Sequence, residues 1–71
     1  MKYRELYLKM LNAKEQHDRI KFVHFYTQIC TARNLTADDD AIKILDDDVS
    51  EDEKQIVMTK ILIEVQHLLN K

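Results

Sequence analysis

The chain has 71 residues and a formal net charge of −2, with 45% hydrophobic and 34% charged residues, one cysteine, and neither glycine nor proline. A chain this short makes one domain, residues 1–71, and buries only about 60% of its unfolded surface, so its core is small. A single cysteine excludes an internal disulfide, no apolar run exceeds three residues and so none can cross a membrane, and the lack of glycine argues against two-residue β-hairpins and phosphate-cradling loops.

Helices are what remains. The expected fold is all-α: a small bundle of three helices, or four if the long amino-terminal helix breaks near residues 12–18. Tyr3, Leu6, Tyr7, Met10 and Leu11 share one helical arc, and Phe22, Val23, Phe25, Tyr26, Ile29 and Cys30 share another. On one straight helix the centres of these arcs would lie about 120° apart, far more than the drift of roughly 20° per heptad in a coiled coil. Glu15, Asp18 and Arg19 interrupt the stripe between them, which favours a break or a kink there.

Thr36-Ala37-Asp38-Asp39 offers a helix start, followed by Ala41, Ile42, Ile44 and Leu45 on one side and Lys43 on the other. This predicts a short helix of about two to three turns. Ser50-Glu51-Asp52-Glu53 has the form of a capping box, in which the serine hydroxyl accepts from the N–H three residues on and Glu53 reaches back to the serine N–H. The helix that starts there should run to about Asn70, with Val57, Met58, Ile61, Leu62, Val65, Leu68 and Leu69 within an arc of roughly 140° facing the core.

Charge is distributed unevenly along this frame. Nine of the thirteen acidic residues lie in residues 38–53, as Asp38-Asp39-Asp40, Asp46-Asp47-Asp48 and Glu51-Asp52-Glu53, with Lys43 as the only base, a formal −8. The flanking segments are basic. A localised field of this kind steers partners even when the total charge is small. Carboxylates in a first helical turn oppose the positive end of the macrodipole, which accounts for the runs at 38–40 and 51–53. Asp46 to Asp48 follow the last apolar residue of the short helix, where negative charge is unfavourable, and are therefore the strongest candidates for contact with a partner.

Several chemistries are disfavoured by spacing. An EF-hand loop begun at Asp46 would place Glu51 where the turn glycine belongs and Val57 where a bidentate glutamate is needed. His17 and His24 are seven residues apart, about 10 Å along a helix, too far to share a zinc ion. Cys30 falls in an apolar arc as a buried thiol, and no nucleophile-and-base arrangement suggests an enzyme. No cofactor or metal is expected.

Ile56 and Ile63 lie two turns apart and nearly opposite the main stripe of their helix, beside Thr59 and Lys60. They form either a second packed face within the bundle or an interface, with a homodimer the expected form of the latter. The functional expectation is a small cytoplasmic regulator, such as an inhibitor, an anti-repressor or an immunity-like module, that binds another protein with a basic surface. Asp38, Asp39, Asp40, Asp46, Asp47 and Asp48 would supply the charge and apolar helix faces the affinity. The alternatives are a nucleic-acid-binding homodimer using Lys9 and Lys14, disfavoured because the amino-terminal bases are dispersed and form no single stripe, and a structural oligomerisation module; the acidic segment before the last helix argues against nucleic-acid binding through that helix.

Overall fold

A computed structural model describes residues 2–70, and Lys2 by its backbone alone. Four helices follow in order: α1 (Lys2–Glu15), α2 (Arg19–Arg33), α3 (Ala41–Ile44) and α4 (Glu51–Leu69), with no strand among the described residues. The fold is a small all-α bundle. Its radius of gyration, 11.3 Å, matches the roughly 11 Å of a compact chain of this length.

The amino-terminal half breaks between Glu15 and Arg19. His17 takes a left-handed conformation (φ 57°), its N–H donates to the Lys14 carbonyl, and the Asp18 N–H donates to the Ala13 carbonyl. That pairing is a Schellman termination, in which a positive φ closes the helix end. Asp18 then caps α2, its side chain accepting from the Lys21 N–H at 3.2 Å. One residue thus ends one helix and begins the next, and α1 folds back onto α2. The same device ends α2: Asn34 has φ 55°, and the Leu35 N–H donates to the Cys30 carbonyl at 2.8 Å. Histidine and asparagine, among the side chains that best tolerate this region, stand where glycine usually would.

Both expected arcs are used. Phe22, Tyr26, Ile29 and Cys30 of α2 share one buried cluster with Val57, Met58, Ile61, Leu62 and Val65 of α4, to which α1 contributes Met10 and Ala13. Leu11, placed on the α1 arc, is on the exposed side instead. Ser50 caps α4 by accepting from the Glu53 N–H at 3.2 Å, and the reciprocal bond from the Glu53 side chain is not among those formed by the described residues. Lys54, one turn before Met58, is only 2% exposed, and makes no ion pair among the described residues. Its aliphatic stem extends the apolar stripe.

The largest departure is α3. The anticipated two to three turns are one turn of four residues, and Thr36 does not begin it. The Asp38 side chain accepts from the Asp40 N–H at 2.9 Å, forming a turn that competes with helix, and three-residue backbone bonds flank the helix on both sides. Ala41 and Ile44 enter the core, whereas Ile42 and Leu45 face solvent, so the predicted apolar side of this helix is only half used.

Candidate functional site

The three acidic runs fall into different environments. In the first, Lys60 of α4 reaches across to Asp38 at 3.2 Å and Asp40 at 2.7 Å, and Lys43 approaches Asp40 at 3.5 Å. The Tyr26 hydroxyl accepts from the Asp38 N–H at 2.9 Å, so this loop is fastened to both α2 and α4. The Asp40 N–H and then Lys60 hold the Asp38 carboxyl below its usual range, against the opposing effect of burial. Lys60 does the same for Asp40, and the two aspartates push the Lys60 ammonium upward. Burial, followed by the proximity of Asp38, raises Glu64, while burial pushes the Tyr26 phenol up to about 12.

Glu51 in the third run is also engaged. It pairs with Arg19, and lies 3.5 Å from His17 Nδ1, tying the start of α4 to the α1–α2 corner. Arg19 Nε is buried there without a hydrogen-bond partner. Neither Lys60 nor Arg19 was singled out from sequence as a partner for an acidic run. Lys60 is twenty residues from Asp40 and Arg19 is thirty-two from Glu51, so no local spacing announces either contact.

The second run differs. Asp46, Asp47 and Asp48 are all exposed in the connection between α3 and α4. Asp46 folds this connection by accepting from the Asp48 N–H at 2.9 Å, a turn typical of aspartate. Asp39, Asp46, Asp47 and Asp48 make no ion pair among the described residues. Comparison with family models, with curated protein sequences and with solved structures finds no match.

Beside these free carboxylates lies a groove between α2 and α3, with a volume of about 310 Å³. Val23, Tyr26 and Thr27 form one wall, Ile42 and Leu45 the other, and Ala37 and Ala41 line it between them, together with Asp38 and Asp39. Ile42 is 75% exposed, and Ile20, one turn before Val23 on α2, is 74% exposed. Ile42 and Leu45 share the apolar side expected of this helix with Ala41 and Ile44, and no local spacing separates the exposed pair from the buried one. A second hollow of about 310 Å³ is lined by Ile29, Cys30, Leu35 and Val65, with Asp38 and Glu64 among its polar groups. Cys30 is buried, and no group of three or more metal-ligating side chains forms among the described residues.

The remaining candidates are dispersed. Ile56 is 68% and Ile63 51% exposed, so they do not form a second packed face within the single chain. Lys9 and Lys14 are five residues apart on α1, about 140° around the helix, and do not share a face. The Lys9 ammonium lies 5.7 Å from the centre of the Phe25 ring, and Lys14 is half-buried. His24 and His67 are exposed.

Proposed function

We propose that this chain is a small non-enzymatic regulator that acts by binding another protein with a basic surface, in the manner of an inhibitor, an anti-repressor or an immunity-like module. One observation supports this reading above the others. The Asp46-Asp47-Asp48 turn is exposed and has no basic partner among the described residues, whereas Lys60 and Arg19 engage the other two acidic runs within the chain. Three adjacent uncompensated carboxylates raise the energy of the isolated protein slightly and accelerate encounter with a cation-rich surface. Asp39 lies on the same side of α3 as the apolar groove, and extends the negative field; Asp38 and Asp40 serve chiefly to hold the loop. A cytoplasmic location belongs to the same proposal. Among the described residues no helix is long and apolar enough to cross a membrane.

Quantitative affinity capture from the native host tests the reading with wild-type protein and the Asp46→Asn, Asp47→Asn, Asp48→Asn triple variant. A partner should be enriched on the wild type, lost from the triple variant and released by moderate salt, with the helical circular-dichroism signal unchanged. Equal enrichment on both proteins refutes the acidic turn as the docking element.

Self-association is a second reading, and the exposed Ile56 and Ile63 favour it. Nucleic-acid binding through Lys9 and Lys14 has less support, since these lysines point to different sides of α1 and Lys9 rests over an aromatic ring.

A further inference from the structure

The geometry points to a basic amphipathic helix of a partner protein as the occupant of the groove between α2 and α3. This rests on the protein-binding reading above and specifies both the surface and the chemistry of what fills it. Val23 and Thr27 of α2 line one side of the groove, and Ile42 of α3 and Leu45, just after α3, line the other. Alanine at positions 37 and 41 leaves room that larger side chains would fill. Ile42, the most exposed large apolar side chain of the described residues, and Leu45, 48% exposed, both line this groove. Leaving them in water is unfavourable, and an apolar ridge inserted between the helices would remove that cost.

Charge decides the class of occupant. Asp39 lines the groove, and Asp46, Asp47 and Asp48 follow the lining residue Leu45 in the chain, all without ion pairs among the described residues. The nearby bases are already engaged: Lys21 is 3.7 Å from Asp18, and Lys43 is 3.5 Å from Asp40. A ligand flanked by Lys or Arg would therefore find free carboxylates beside the apolar cleft. Two copies of this chain meeting groove to groove would oppose their acidic rims, which disfavours symmetric self-pairing here. No sheet edge is present among the described residues to accept an extended peptide. A helix laid in the cleft, with apolar residues at three- and four-residue spacing and bases on both flanks, satisfies the apolar and the charged requirement together.

The test uses the full chain and a fluorescent synthetic helix with leucines on one face and lysines and arginines on its flanks. A scrambled peptide of identical composition and a version with glutamine for every base serve as comparisons. Fluorescence anisotropy should show binding of the amphipathic peptide, at least about tenfold weaker binding of either control, and weakening with salt. Ile42→Ser with Leu45→Ser should reduce affinity about tenfold or more, as should Ala37→Arg, which places bulk and positive charge in the cleft. All three positions are exposed, so the fold should persist, and amide spectra of the variants check this. Shifts on titrating the peptide into wild-type protein should centre on Val23, Thr27, Ala41 and Ile42.

Equal affinity for the scrambled peptide, shifts centred elsewhere, or no binding at about 1 mM overturns the inference. Sensitivity to the triple aspartate change without sensitivity to the groove variants leaves the acidic docking reading intact and removes the groove. Sensitivity to the groove variants without any effect of the aspartates or of salt rejects a basic occupant.

Discussion

The Ile56–Ile63 ridge permits a quantitative prediction about self-association. The two side chains are 68% and 51% exposed, and lie about 10 Å apart along α4. Complete burial of an isoleucine contributes about 1.5–3 kcal/mol, so covering the exposed fractions contributes about 2–4 kcal/mol per chain, or about 4–7 kcal/mol for a symmetric pair. Association costs at least about 4 kcal/mol in lost translational and rotational freedom. The ridge alone therefore supports only a weak dimer, with Kd near or above about 1 mM. Sedimentation equilibrium should give the monomer mass at about 10 µM and a rising average mass toward about 1 mM. Ile56→Lys with Ile63→Lys should remove that rise without loss of helix, because neither side chain belongs to the core. A wild-type mass that stays flat across the range refutes self-association through the ridge and assigns it to a foreign partner. A complete dimer at about 10 µM refutes the area argument instead, since it would require a much larger interface than two isoleucines.

Replacing Lys60 by Met should lower the melting temperature at pH 7, because Asp38 is left facing Glu64 without its cation and Asp40 keeps only Lys43. The lowered Asp38 and Asp40 carboxyls contribute stability that is present above about pH 4 and lost as pH falls through their folded values. Glu64 has the opposite sign: its raised value means that the folded state gains as pH falls through it. Thermal melts should accordingly rise as pH falls through the raised Glu64 value and then fall as Asp38 and Asp40 protonate, and Glu64→Gln should remove the rise that precedes the acid loss. His17→Gly should raise stability by about 0.5–1 kcal/mol in urea melts, since glycine adopts the left-handed position without steric cost and the lost His17–Glu51 contact is exposed. Lys54→Met should be neutral or stabilising by about 1 kcal/mol, because a buried lysine with no ion pair gives way to an apolar side chain of similar length. A clear loss of stability would show that the ammonium makes a contact of its own.

Much of the fold was legible in the sequence because helix signals act over four residues or fewer. The absence of glycine and proline pointed to helices, Ser50 marked the start of α4, and the angular offset between the Met10 and Phe22 arcs located the break that His17 closes. Apolar spacing likewise identified Phe22, Tyr26, Ile29, Met58, Ile61 and Val65 as core. Local rules failed at α3, where Asp38 bonded to Asp40 rather than beginning a longer helix, and where one helical turn could bury Ala41 and Ile44 but not Ile42 and Leu45. The sequence also showed that nine carboxylates crowd residues 38–53, but their neutralisation depends on what the bundle brings near them. Only the packing of α4 against the preceding loop delivers Lys60 to Asp38 and Asp40, and only the α1–α2 corner delivers Arg19 to Glu51. Coulombic pairing depends on distance in space, so the tertiary structure decided that Asp46, Asp47 and Asp48, which follow the groove residue Leu45, stay without an ion pair among the described residues.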